Sequence, residues 1–266
     1  MSDILILAAT GKTGRSLVRI LQDAGKPVRP ASRSSEVRFD WSDPGTWDAA
    51  VRGARAVYLV APPETGLAPE FVKRASGVER FVVLSGRGAD RVDADFARSM
   101  LEAEDAVQKS GAEWTILRPN NFSQNFSEDI WSEPVLSGRL AVPYAAIREP
   151  FIDVEDIAAV AAAALTGDGH AGRIYELSGP RALSFAEAAE IIARVSGRPV
   201  RYEEVSPAAY RAERLAEGWD APDVDGVVSM YEAMNAGHVA EATEAVRQVL
   251  GRDPISFEEY AERTWS

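Results

Sequence analysis

Cysteine is absent from this 266-residue chain, and histidine is confined to His170 and His238. Without thiols there is no thiolate metal site, no iron–sulfur cluster and no cysteine nucleophile, and two imidazoles leave little for a histidine-based metal centre. Metal-free chemistry is therefore expected. Basic residues are outnumbered, with Lys+Arg 29 against Asp+Glu 41 and a net charge of -12. That is the wrong sign for neutralising a phosphate backbone, so nucleic acid is not expected as a partner. Long apolar runs are missing too. The stretch Ala158 to Leu165 is too short to span a bilayer, and Met1-Ser2-Asp3 leads into an apolar strand with no basic leader. These absences predict a cytoplasmic protein with a small-molecule partner and no membrane contact, and leave its oligomeric state open.

What is present is a globular composition, 46% hydrophobic and 26% charged, enough for one large domain or two closely joined halves. Charge is uneven: residues 1–60 hold nine Lys/Arg and six Asp/Glu, whereas residues 201–266 hold six and fourteen. Ile4-Leu5-Ile6-Leu7-Ala8 is a continuous apolar run, as a strand covered on both faces should be, and Leu17, Ile20 and Leu21 then follow at helical spacing up to Gly25. Similar runs at residues 56–60, 80–84 and 114–117 alternate with helical stretches, notably Ala97 to Lys109. Pro27 to Ser32 is read as the second strand on the pattern of its neighbours, although Pro30 cannot donate to a ladder. Beyond Pro119 the alternation becomes irregular, with short strands near 140–144, 173–177 and 200–205 and capping boxes at Ser184/Glu187 and Ser256/Glu259. The expected fold is α/β: a Rossmann-type doubly wound parallel sheet with a smaller, irregular α+β C-terminal substrate-binding part. Residues 1–120 would form the nucleotide-binding domain, joined by returning segments near 150–180, and residues 121–266 would mainly bind substrate. No linker separates the halves, so a shared core is expected.

The turn Ala8-Ala9-Thr10-Gly11-Lys12-Thr13-Gly14 lies between strand and helix, where backbone N–H groups and the helix dipole hold a pyrophosphate. Gly11-Lys12-Thr13 spells the end of a Walker loop, but that motif needs a glycine where the chain has Ile6. What remains is the 8, 11, 14 spacing of a dinucleotide turn, with Ala8 in place of its first glycine. At the end of the second strand stand Ser32-Arg33-Ser34 and no acid, with Glu36 lying past the strand. Arg33 therefore points to NADP(H), because an arginine there accommodates the 2′-phosphate that an acid would repel. Asp40 and Trp41 follow the third strand, where Trp41 either borders an adenine or is half-buried core.

A carbonyl reductase of this fold usually carries Tyr-x-x-x-Lys as its acid pair. Here the residues four after Tyr58, Tyr144, Tyr175, Tyr202, Tyr210, Tyr231 and Tyr260 are Pro62, Arg148, Gly179, Ser206, Arg214, Asn235 and Thr264. The pair is missing, and Met100 and Glu104 occupy the corresponding helix face. Hydride addition to an iminium carbon forms an amine directly and needs no proton donor, so this absence suits an imine or iminium substrate.

The turn at 8–15, Ala31-Ser32-Arg33-Ser34, Phe39-Asp40-Trp41-Ser42-Asp43, residues 57–63, Thr115 to Phe122, residues 150–157, 175–180 and 254–257 together resemble the NmrA-like atypical short-chain dehydrogenases/reductases. Within them the chain is similar to the ergot-alkaloid reductases of the agroclavine dehydrogenase and festuclavine synthase type. The resemblance implies that Thr10, Gly11, Thr13 and Gly14 cradle phosphates and that Arg33, with Lys12, meets the 2′-phosphate. It also implies that Ala61, Pro62 and Pro63 border the ribose and pyrophosphate, that Ser85 ends the fifth strand beside the nicotinamide, and that Pro119, Asn120, Asn121 and Phe122 flank its carboxamide. Asn121 replaces a frequent aromatic. Ser85 and Glu104 are the candidate catalytic residues, with Glu104 either facing the pocket or solvated. Asn121, Phe122, Phe126, Tyr144 and Phe151, together with Trp131, are expected to enclose the substrate unless they are ordinary core. The reading is thus an NADPH-dependent reductase of an imine or iminium; the alternatives are a quinone reductase, a non-catalytic NADP(H) sensor, or an isomerase retaining the cofactor fold.

Overall fold

The structure is a computed structural model that describes residues 3–266, so Met1 and Ser2 lie outside it. The first half runs β1 (Asp3–Ile6), α1 (Lys12–Asp23), β2 (Val28–Ser32), β3 (Val37–Arg38), α2 (Trp47–Val51), β4 (Ala54–Val60), α3 (Leu67–Arg74), β5 (Arg80–Leu84), α4 (Asp95–Gln108) and β6 (Glu113–Pro119). Two short helices, α5 (Asn125–Glu128) and α6 (Ser132–Ser137), precede β7 (Arg139–Pro143), α7 (Val154–Thr166), β8 (Arg173–Leu177), α8 (Phe185–Ser196) and β9 (Arg201–Val205). The chain ends with α9 (Pro207–Ala216), α10 (Ala221–Asn235), α11 (Ala245–Leu250) and α12 (Phe257–Trp265).

Seven strands form one parallel sheet in the order β3-β2-β1-β4-β5-β6-β8. The order reverses between β1 and β4, and in such sheets ligands bind in the crevice outside the carboxyl ends of the strands at this switch. Pro30 is accommodated because β3 pairs only with Ala31 and Ser32, so the proline's missing N–H falls where the ladder to β3 has not begun. Gly25 ends α1 at φ +66°, the left-handed stop read from the sequence.

The core has three parts. Leu17 and Leu21 of α1, the alanine-rich face of α7, and Ala245 and Val246 of α11 cover one face of the sheet. Trp47, Phe71 and Val107 of α2, α3 and α4 cover the other. The halves thus share the sheet's core through α7, β8 and α11. The rest of the second half has an aromatic core of its own, in which Phe126, Trp131, Phe151, Phe185 and Tyr231 pack together and the Trp131 indole donates to the Tyr231 hydroxyl at 2.7 Å. Both expected capping boxes form, starting α8 and α12. Among the described residues no helix is long and apolar enough to cross a membrane.

Ala8 departs from ordinary backbone, with φ +52° at the position where dinucleotide turns carry glycine. Holding a residue with a Cβ in this region costs about 1–2 kcal/mol, and glycine's extra freedom in the unfolded chain returns about 0.5–1 kcal/mol of that. Ala8→Gly is therefore expected to stabilise the fold by about 0.5–1 kcal/mol, raising the urea midpoint at unchanged m-value. A lower midpoint would contradict the strain.

Candidate active site

After β1 the Gly11 N–H closes a tight turn on the Ala8 carbonyl at 2.9 Å, and Gly11 becomes the N-cap of α1 without any side-chain cap. The first N–H groups of α1 are left for an anion. A Cβ on Gly14 would lie 2.2 Å from the Ala8 oxygen, and one on Gly11 would lie 3.2 Å from it. The turn therefore needs glycine at Gly14, which lets helix pack on strand, and leaves little room for a side chain at Gly11. Tyr58 on β4 braces this arrangement by donating to the Thr13 hydroxyl at 3.1 Å.

A cleft runs from Thr10 and Gly11 past Arg33, Ser34, Asp40, Trp41 and Pro63. The Ser32 hydroxyl accepts the N–H groups of Ser34 and Ser35 at 3.2 and 3.0 Å, turning the chain so that Arg33 is exposed. Among the described residues Arg33 has no ion-pair partner, which leaves its guanidinium for a ligand phosphate. Hydrogen bonds from the Ser42 hydroxyl and N–H, aided by Arg33 and Arg38, hold the Asp40 carboxyl below its ordinary value. Trp41 packs edge-to-face on Phe39, Trp47 and Phe71 at 4.9–5.5 Å and also lines the cleft. Ala61 packs on the sheet core and Pro62 accepts a hydrogen bond from Ser99, which ties α4 to this edge.

Lys12 corrects one expectation. Its side chain turns away from Arg33, pairs with Asp129 at 2.5 Å, donates to Asn125 at 2.6 Å and lies 5.3 Å over the Phe122 ring. It belongs to a second cavity, of about 340 Å³. The loop from Ser85 to Ala89, the segment Pro119 to Phe122, Met100 of α4 and Met230 and Met234 of α10 line that cavity. Asn120 and Phe122 are placed by continuation of the sheet, through Asn120 N–H to the Leu177 carbonyl at 2.8 Å and a bridge from Phe122 to Ile152. α10 closes over the cavity because Gly226 comes close to Ala94, where a Cβ would sit 3.1 Å away, and because Ser229 accepts the Asp93 N–H at 2.9 Å.

Ser85 lies at the end of β5 and lines this cavity, but its hydroxyl donates to Glu104 at 2.5 Å. Glu104 does not face the cavity. It is 4% exposed and takes two hydrogen bonds from Arg118 at 2.9 and 2.5 Å, which push the arginine's pKa above its ordinary value. Three donors thus occupy a carboxylate that stands behind Ser85. The aromatic enclosure is corrected as well: Phe126 and Phe151 are buried in the second half's core, where they interleave with Leu140, Val142, Ile191 and Ile192, and Tyr144 packs on its edge. Phe122 and Asn121 do line the cavity.

Sequence reasoning named Met100 but missed Met230, Met234 and Glu149. Met230 and Met234 are four apart on one helix face, a pattern equally typical of core, and nothing in the sequence distinguishes Glu149 from its exposed neighbour Arg148. Glu149 is fully buried at the cavity wall; its Oε1 accepts from the Asn120 amide at 2.9 Å, the Asn121 N–H at 2.9 Å and the Asn121 amide at 3.3 Å. Its Oε2 has no partner, and burial pushes its pKa up.

If Glu104 serves to hold Ser85 and β6 together, removing its cation should be costly. Arg118→Met is expected to lose about 2–3 kcal/mol by leaving a buried carboxylate unpaired, while the Arg118→Met/Glu104→Met double variant recovers much of this. Additive losses in a urea double-mutant cycle would show that the pair is not coupled.

Residues 8–168 match the NAD(P)H-binding family. The chain is 35% identical to a (4-alkanoyl-5-oxo-2,5-dihydrofuran-3-yl)methyl phosphate reductase of Streptomyces griseus, covering 99% of this chain and 96% of that protein. It is 30% identical to agroclavine dehydrogenase of Claviceps fusiformis, covering 97% and 95%, and 30% identical to prestalk A differentiation protein A of Dictyostelium discoideum, covering 99% and 92%. An NADPH-dependent quinone oxidoreductase of Escherichia coli, solved with NADPH, shares the fold at TM-score 0.85 and 20% identity, covering 99% of this chain and 100% of that one. The negative transcriptional regulator NmrA, solved with NAD, shares it at TM-score 0.71 and 17% identity, covering 99% and 95%. The chain belongs to the NAD(P)H-binding family, with NmrA-like proteins among its structural neighbours and NAD(P)H-dependent reductases, the ergot-alkaloid enzymes included, among its relatives.

Proposed function

We propose that this protein is an NADPH-dependent reductase of a small, apolar, conjugated electrophile, of imine or iminium type or a conjugated carbonyl such as a quinone. One observation carries the reading: the cleft with the unpaired Arg33 and the methionine-lined cavity abut at the consecutive residues Gly11 and Lys12. A dinucleotide whose phosphates rest on the turn extends its two ends into the two cavities.

The N–H groups opening α1 bind the pyrophosphate, and Arg33 adds a charge-assisted bond to a 2′-phosphate. When bound, the cofactor supplies a hydride. Met100, Met230 and Met234 offer flexible, polarisable surface that fits a flat organic substrate and keeps water from the reacting carbon. With its hydrogen committed to Glu104, Ser85 presents only lone pairs and orients a donor such as a carboxamide. Reductases acting on agroclavine-type alkaloids, furanone phosphates and quinones stand among the relatives and structural neighbours, which supports a conjugated electrophile and leaves its skeleton unspecified.

NADPH is expected to bind more tightly than NADH. Arg33→Ala should weaken NADPH about ten- to hundred-fold, the equivalent of about 1.5–3 kcal/mol, and leave NADH nearly unchanged in a fluorescence titration. Equal affinities in the wild type would remove the role given to Arg33. The activity is tested by NADPH oxidation with cyclic imines, iminium salts, quinones and aldehydes. Tight binding without oxidation in any class would favour a sensor.

A further inference from the structure

Four carboxyl groups are buried among the described residues: Glu104, Glu149, Asp153 and Asp156. Three of them meet an arginine, Glu104 with Arg118, Asp153 with Arg263 and Asp156 with Arg252. Glu149 has none. The cation whose charge acts on it, Arg87 on the loop after β5, is taken up by Glu176 at 2.9 Å, the Asn120 side-chain oxygen at 3.1 Å and the Glu241 carbonyl at 2.6 Å. Around the same cavity Lys12 is paired with Asp129, while Arg91 and His238 lie at exposed positions.

Hydrogen bonding at Glu149 is one-sided. Three N–H groups converge on Oε1 and none reaches Oε2. A carboxylate carries charge on both oxygens and leaves one bare here, at a cost burial makes severe. A carboxylic acid fits: its carbonyl oxygen takes the three donors and its hydroxyl lacks only an acceptor. Burial raises the pKa in the same direction. The Asn121 amide nitrogen that reaches Oε1 also contacts Met234 at 3.7 Å, and an unbranched thioether yields readily to an incoming group.

We propose that Glu149 is a neutral acid in the floor of the cavity that donates its proton to the substrate, so that the site takes electrophiles bearing a hydrogen-bond acceptor, a conjugated carbonyl oxygen or a neutral imine nitrogen, rather than preformed iminium cations. This rests on the reductase reading and narrows it. As the cofactor's hydride reaches the electrophilic carbon, the bond from Oε2 to hydrogen breaks, the substrate's oxygen or nitrogen gains that proton, and the electron pair remains on the carboxylate. The Asn120 and Asn121 N–H groups stabilise this carboxylate until solvent returns a proton. The balance is one hydride and one proton added across the double bond.

Infrared spectroscopy and single-turnover kinetics test this with wild type and Glu149→Gln. The wild type should show a protonated-carboxyl C=O stretch at neutral pH that is missing from the variant, whose NADPH affinity is unchanged. With cinnamaldehyde, hydride transfer should fall about a hundred-fold or more in Glu149→Gln, the usual scale of general acid catalysis. The wild-type rate should decline as pH rises through the acid's raised pKa, and the variant's should not. With an N-methylated dihydroisoquinolinium salt, which accepts no proton, the two proteins should be equally fast if they react at all. Absence of the infrared band, or equal cinnamaldehyde rates, overturns the role of Glu149. A wild type that reduces only the iminium salt does the same and leaves the reductase reading standing, whereas a wild type that shows the band and reduces neither compound defeats the reductase reading and the donor role with it.

Discussion

The approach of α1 to the end of β1 sets the geometry on which both cavities depend. Gly14 sits so near the Ala8 carbonyl that no side chain fits between them, and the helix therefore begins at the sheet's carboxyl edge with its N–H groups aimed outward. Were α1 displaced by the width of a methyl group, the phosphate turn, the Arg33 cleft and the reach of Lys12 to Asp129 would lose their common origin. Strain at Ala8 belongs to the same contact, because the turn needs a left-handed residue at that point whether or not glycine supplies it.

Around this fixed edge the second half acts as a buttress. Its aromatic core holds α5, α6, α8 and α12 together, while α10 projects from it to line the neighbouring cavity with Met230 and Met234. A close-packed aromatic cluster thus stands behind a wall whose unbranched thioethers adapt more readily than branched side chains would.

Buried charge is treated unequally. Asp153 and Asp156 are held by arginines from the C-terminal segment, and Glu104 by Arg118 from β6, so each ties separate stretches of chain together. Glu149 ties Asn120 and Asn121 to its own strand-like segment through N–H donors alone. Neutral donors cannot replace a counter-ion, and a group in that position is better hidden as an acid than as an anion.

Much of this was legible in the residues. The apolar runs, the 8, 11, 14 spacing and Gly25 determined the sheet, the tight turn after β1 and the first helix, because each depends on local backbone chemistry or a short period. Arg33 was legible for the same reason, since it lies a fixed distance past a strand that the turn anchors. Lys12, Glu104 and the aromatics Phe126 and Phe151 were not, because side-chain direction depends on partners far along the chain: Asp129, Arg118 and the second half's core. Composition alone determined that this is a cysteine-free chain with no thiolate ligand to offer a metal. Which carboxyl would lack a counter-ion, and which methionines would face a ligand, was decided only by folding, where burial and pairing are properties of neighbours and not of sequence.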